Sequence, residues 1–62
     1  MNIDIKIYNF IEEKMMTTTG AEQKEWIDKY DLFTCRTLFK ENKMLDKLEE
    51  VEKIRMEVLK CL

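Results

Sequence analysis

Apolar residues recur at helical spacing along the last third of the chain. Over most of this segment the steps are three and four residues, and the positions are Met44, Leu48, Val51, Val58 and Leu62. Charged residues occupy most of the positions between them. This pattern is typical of one stripe of an amphipathic α-helix. We therefore predict a long C-terminal amphipathic helix over about residues 43–61.

The apolar stripe of this helix is wider than the seam of a coiled coil. Arg55 interrupts the seam, and four further residues widen the stripe on both sides: Leu45, Ile54, Leu59 and Cys61. A wide stripe favours a helical bundle. Opposite charges three or four residues apart support the helix by a few tenths of a kcal/mol each. These pairs are Glu49–Lys53, Lys53–Glu57, Lys47–Glu50 and Glu52–Arg55.

The central segment predicts a second helix over about residues 20–41. Its apolar positions cover more than one stripe: Trp26, Ile27, Tyr30, Leu32, Phe33, Cys35, Leu38 and Phe39. A helix that is apolar over more than half its girth either lies in the middle of the fold or bends, and we expect the bend near residues 30–31. Both arrangements place Trp26, Tyr30 and Phe33 at the centre of the core.

Two segments indicate turns. Residues 17–20 are three threonines followed by the only glycine, and Thr19 with Glu22 matches a capping box. Asn42 marks the second turn, because asparagine tolerates the left-handed conformation that closes a helix. No proline enforces this break, so one long helix from residue 20 to 61 is an alternative.

The first residues have two interpretations. Ile3, Ile5 and Ile7 alternate with polar residues, which is typical of a short strand. From Ile7 to Met15 the apolar spacing is helical, and we predict a helix over about residues 4–16. A lone strand would require a partner strand from a second copy, because an unpaired edge leaves its amides unsatisfied.

Together these elements predict an all-α domain spanning residues 1–62, with two or three helices in a hairpin or bundle. A chain this short buries only about 60% of its unfolded surface, and domains of this size often gain stability from disulfides, a metal or a partner subunit. Cys35 and Cys61 fit no zinc-site spacing, and histidine is absent. We expect both thiols to be buried and reduced, and we expect the domain to self-associate or to bind another protein.

Composition restricts the remaining classes of function. The 13 acidic and 11 basic residues give a net charge of −2, which disfavours a dedicated nucleic-acid binder. No apolar run is long enough for a membrane span or a signal peptide, so we expect a cytoplasmic protein without membrane contact. Without serine or histidine the usual catalytic triads are excluded, and one glycine cannot form a phosphate loop. We therefore predict no enzyme and no catalytic, cofactor or metal site.

Methionine, tryptophan and tyrosine are favoured at protein interfaces, and the apolar stripe of the last helix adds further contacts. The predicted partner-binding residues are Met15, Met16, Trp26, Tyr30, Leu48, Val51, Val58 and Leu62. Lysine outnumbers arginine, and proline is absent, which is typical of an AT-rich genome. The specific hypothesis is a small bacterial or phage regulator or inhibitor that occupies a surface of a host protein.

A helix-turn-helix DNA-binding regulator is the alternative. Residues 22–43 have the length of such a unit, and Arg36, Thr37 and Lys40 would contact DNA. The turn lacks glycine, and Asp31 and Glu41 would oppose the phosphate backbone.

Overall fold

The computed structural model describes residues 2–62, and this part of the chain is helical throughout apart from short turns. It contains α1 (Ile3–Thr17), α2 (Gly20–Thr34), α3 (Arg36–Glu41) and α4 (Leu45–Cys61). The prediction of an all-α fold with a long C-terminal helix is confirmed, and residues 3–7 are helix rather than strand. The predicted number of helices is wrong, because Cys35 divides the central segment into α2 and α3.

The bend at Cys35 lies beyond the predicted position at residues 30–31. Cys35 keeps hydrogen bonds on both sides, because its amide donates to Asp31 at 3.1 Å and its carbonyl accepts from Phe39 at 3.0 Å. On a straight helix Phe33 and Phe39 would point about 120° apart, since each residue turns the helix by about 100°. The bend allows both rings to pack on the same core.

The turn between α1 and α2 is held by side chains other than the predicted capping pair. The backbone amide and the hydroxyl of Thr18 both donate to the carbonyl of Lys14, and the side-chain amide of Gln23 donates to the carbonyl of Met15 at 2.9 Å. Thr19 makes no capping hydrogen bond through its side chain. Gly20 has a φ of +63°, so helical angles begin only after it, which removes the spacing that a capping box needs.

The break near Asn42 is confirmed, but the left-handed residue is Lys43, with a φ of +53°. The amides of Lys43 and Met44 donate back to carbonyls of the last turn of α3 at 3.2 and 2.9 Å. This is the hydrogen-bond pattern of a Schellman motif. Asn42 instead contributes its side-chain amide, which donates to the carbonyl of Leu38 at 2.8 Å.

The core is built by α1, α2 and α4. Its buried side chains in the described range are Ile7, Ile11, Phe33, Val51, Ile54 and Val58. α2 runs antiparallel to α1, as the pairs Trp26–Phe10 and Phe33–Tyr8 show. α4 runs antiparallel to α2, and Lys29 Nζ lies 3.3 Å from Glu57 Oε1. The inward stripe of α4 differs from the predicted one, since Ile54 is buried while Met44 and Leu62 are exposed.

An ion pair fastens the start of α1 to the start of α3. Both guanidinium nitrogens of Arg36 donate to the carboxylate of Asp4, and the guanidinium carbon lies 4.7 Å from the centre of the Phe33 ring. The hydrogen bonds from Arg36 lower the pKa of Asp4 below its ordinary value of 3.8. The same bonds raise the pKa of Arg36, so the pair holds both groups in their charged forms.

The domain is thin, with extents of 33 × 29 × 16 Å. Its radius of gyration is 11.7 Å, whereas about 10.6 Å is usual for a compact chain of this length. Its accessible surface is 4733 Å², against about 4300 Å² for a typical monomer of the same mass. The fold therefore keeps more surface than is typical for its size.

The described helices include none with the length and apolar character that crossing a bilayer requires.

Candidate interaction surface

Burial is unevenly distributed along the α1–α2 hairpin. No residue between 12 and 32 is fully buried, although this range includes the second half of α1 and most of α2. α4 runs beside much of α2 in this range but does not reach the turn. Glu57 lies opposite Lys29, and the two helices are antiparallel, so α4 ends at about the level of Glu25 by the 1.5 Å rise per residue. The turn of the hairpin extends beyond α4.

We call the half-buried part of the hairpin near its turn the open end, defined by Phe10, Lys14, Met15, Trp26 and Lys29. The rings of Phe10 and Trp26 meet edge to face, with centroids 5.9 Å apart and planes at 66°. Both rings and Met15 are half-buried and pack against the edge of the core. The open end therefore presents large apolar side chains that the domain itself covers only in part.

Two lysines hold cations against these rings. Lys14 Nζ is 5.5 Å from the centroid of Phe10, and Lys29 Nζ is 4.3 Å from the centroid of Trp26. Lys29 also contacts both carboxylate oxygens of Glu57 at 3.3 Å, which ties α2 to the last part of α4. Cation–π contacts of this kind are worth about 0.5–1 kcal/mol at exposed sites. They favour the observed orientation of the rings.

Tyr30 packs toward the core of the domain, through Tyr8 and Phe33. Its ring meets Tyr8 edge to face at 5.4 Å, and Tyr8 in turn meets Phe33 at 4.9 Å. The Tyr30 hydroxyl donates to Glu12 at 3.1 Å, and this hydrogen bond to a carboxylate raises the pKa of Tyr30 above its ordinary value of 10.0. Its polar group is therefore already satisfied within the domain.

The predicted partner-binding residues fall into three groups. Val51 and Val58 are buried in the core of the domain, with 5% and 0% of their surface accessible. Met16 and Leu62 are exposed, with 83% and 58% of their surface accessible. The remaining four are half-buried: Met15, Trp26, Tyr30 and Leu48. Met15 and Trp26 come together at the open end, whereas Leu48 lies beside α3, in the other half of α4.

Three residues of the open end were not singled out from the sequence: Phe10, Lys14 and Lys29. Phe10 and Lys14 are four residues apart, and Trp26 and Lys29 are three apart, so each is a ring–cation pair at helical spacing. That signal is visible in the sequence. The meeting of the two pairs depends on the register of the hairpin, which the spacing within each helix does not determine.

The two cysteines form no disulfide within residues 2–62. Both cysteines are free, with Cys35 half-buried and Cys61 exposed, so the expectation of two buried thiols is wrong for Cys61. Cys61 lies in the last turn of α4, on the edge of its apolar stripe. No group of three potential ligands in this range is arranged to hold a metal ion. No protein-family model, curated protein or solved structure matches the chain.

Proposed function

We propose that the chain is a non-enzymatic protein-interaction domain that buries its open end against a second protein molecule. The observation that carries this proposal is the half-covered pair of Phe10 and Trp26, oriented by Lys14 and Lys29. Tryptophan is among the residues that contribute most to interface energy, and oriented side chains lose little entropy on binding. Covering the remaining apolar surface contributes about 25 cal/mol per Å².

The charges at this end favour a second copy of the chain as the partner. Four exposed glutamates accompany the lysines in the same part of the hairpin: Glu12, Glu13, Glu22 and Glu25. A two-fold axis places the same surface on both subunits, so a patch that carries both signs of charge can pair with itself. The apolar centre would supply affinity, and the lysines and glutamates around it would set the orientation.

Light scattering tests self-association directly. We expect the molar mass to rise from 7.6 kDa toward twice that value with concentration. Lys14→Glu reverses one charge of the open end without emptying the core, and it should weaken the dimer. The matched control is Lys53→Glu on the outer face of α4, where the side chain is 75% exposed. Equal dimerisation of both variants and the original chain would contradict a role for the open end.

If the chain stays monomeric in this experiment, we propose that the partner of the open end is a different protein. In that version the domain is a small bacterial or phage regulator that blocks a host surface with its open end. A photo-crosslinking residue at position 15 should then capture a protein from a low-GC bacterial lysate. The same residue at position 5 is the control, since Ile5 is 57% exposed and lies outside the open end. Identical products from both positions would count against the proposal.

The alternative function is DNA binding through α3. In its favour, Arg36, Thr37 and Lys40 line one groove together with Arg55. Against it, Arg36 is already paired with Asp4, and the exposed surface of α4 carries an excess of carboxylates, including Asp46, Glu49, Glu50 and Glu57. A DNA-binding protein would bind duplex DNA with an affinity that falls steeply as salt is added. Failure to bind at low salt would exclude this alternative.

A further inference from the structure

A second concave surface lies between α3 and α4. We call it the α3–α4 groove, and it has a volume of ≈ 450 Å³. Its rim is formed by Arg36, Thr37, Lys40, Leu48, Glu52 and Arg55. The core residue Val51 forms part of its floor. The groove therefore combines an apolar floor with three cations and one carboxylate.

The three cations differ in how firmly they are held. Arg36 is fixed by two hydrogen bonds to Asp4. Arg55 pairs only with Glu52, three residues away on the same helix, at 3.4 Å. Such exposed pairs contribute about 0–1 kcal/mol, so another carboxylate can replace Glu52 at little cost. Lys40 is exposed and forms no ion pair with any residue in the range 2–62. Two cations are thus available to a ligand.

The apolar part of the groove calls for a matching apolar group. Leu48 is half-buried and lines the groove together with Val51, Lys40 and Arg55. A free anion such as phosphate would pair with the cations but would leave the apolar surface of Leu48 exposed to water. A ligand that carries carboxylates on both sides of an apolar side chain satisfies both features at once.

We infer that the α3–α4 groove binds an acidic amphipathic segment of a partner protein. The carboxylates of that segment pair with Lys40 and Arg55, and one apolar side chain covers Leu48. The inference rests on the proposed function in treating the chain as an interaction domain, but it uses a surface separate from the open end. Duplex DNA fits less well, because the cations line a concavity and exposed carboxylates such as Glu41 and Glu49 flank it.

The experiment uses a fluorescein-labelled peptide helix in which leucine recurs every third or fourth position and glutamate and alanine fill the rest. Fluorescence anisotropy should show binding to the full chain that weakens as salt is added. A peptide with lysine in place of glutamate should not bind. Lys40→Glu should weaken binding by about tenfold, and Arg55→Gln should weaken it less. Lys24→Glu, an exposed lysine of α2, is the matched control and should bind like the original chain.

This test of the α3–α4 groove is independent of the test of the open end, because Lys14→Glu should leave binding of the peptide unchanged. Equal binding of the acidic and basic peptides would overturn the inference. So would wild-type affinity in Lys40→Glu, or labelled duplex DNA that binds in place of the peptide and depends on Lys40.

Discussion

Two phenylalanines sit in the same kind of contact at two ends of the hairpin. In the base, defined by the six core residues, Phe33 meets the ring of Tyr8 at 4.9 Å and the cation of Arg36 at 4.7 Å. At the open end, Phe10 meets the ring of Trp26 at 5.9 Å and the cation of Lys14 at 5.5 Å. Phe33 is completely buried, whereas Phe10 is half-exposed. The contacts are alike, and the difference is how completely the surrounding helices cover them.

The two ends of the hairpin differ in how they pack against α4. The base packs against the middle of α4 and the open end lies beside its last turns, so the same arrangement of ring, ring and cation is core at one end and only half-buried at the other. The cations differ correspondingly, because Arg36 is fixed by Asp4 while Lys14 forms no ion pair in the described residues. A closed base stabilises the domain, and an oriented but half-covered end is suited to binding.

The largest expected effect comes from the matched pair Phe33→Ala and Phe10→Ala. Phe33→Ala removes a fully buried ring and should cost about 3–5 kcal/mol. Phe10→Ala removes a half-buried ring and should cost about 1–2 kcal/mol. A domain of this size has a total stability of roughly 3–9 kcal/mol, so the first variant approaches unfolding. Urea denaturation measures both, and equal losses would show that the base and the open end are equally closed.

The ion pair of the base gives the next effect. Asp4→Asn should lower the free energy of unfolding by about 1–2 kcal/mol near pH 7, since a partly exposed bidentate pair is lost. The pKa of Asp4 is lowered in the folded state, so the unfolded state binds the proton more readily. The contribution is therefore present above the ordinary value of 3.8 and is lost as the pH falls below it.

Thermal melts of the original chain and Asp4→Asn should thus converge as the pH falls from 5 toward 2, a range set by this lowered pKa. Arg36→Gln should give the same convergence, because it removes the other half of the pair. A difference between the chains that stayed constant over this range would contradict the assigned role of the pair.

The smallest effects concern the two turns, one at each end of the molecule. Lys43 and Gly20 both have positive φ, at +53° and +63°. Lys43→Gly should stabilise the domain by about 0.5–1 kcal/mol, because glycine adopts this conformation without steric cost. Gly20→Ala should destabilise it by a similar amount. No atom would lie within 4 Å of the added Cβ, so the cost is conformational.

Thermal unfolding of each variant beside the original chain measures these changes in stability. A loss of stability in Lys43→Gly would mean that its side chain contributes more than its backbone conformation costs.

The sequence predicts helices well where one apolar stripe dominates, as in α4 and the second half of α1. The sequence does not predict which apolar residues of a helix another helix of the fold will cover. Val51 and Val58 have the same helical spacing as the exposed Leu62, and only the point at which α4 passes the hairpin separates them. The break at Cys35 was missed for a related reason, because it follows from the need to bring Phe33 and Phe39 to one core.

The candidate surface could be predicted only in part. Met15 and Trp26 were found by residue type, and their ring–cation neighbours have a spacing that the sequence contains. The joining of Phe10 to Trp26 requires the register of α1 against α2, which Gly20, Thr18 and Gln23 set in the turn. Such a register is a tertiary property and leaves no periodic signal.

The central claim is that the open end is covered by a second copy of the chain. The chain contains a single tryptophan, Trp26, so acrylamide quenching of its fluorescence reports on this surface alone. Quenching measured across a concentration series should decrease over the range in which light scattering shows the mass rising above 7.6 kDa. A mass that rises while the quenching of Trp26 stays constant, or a mass of 7.6 kDa throughout, would contradict it.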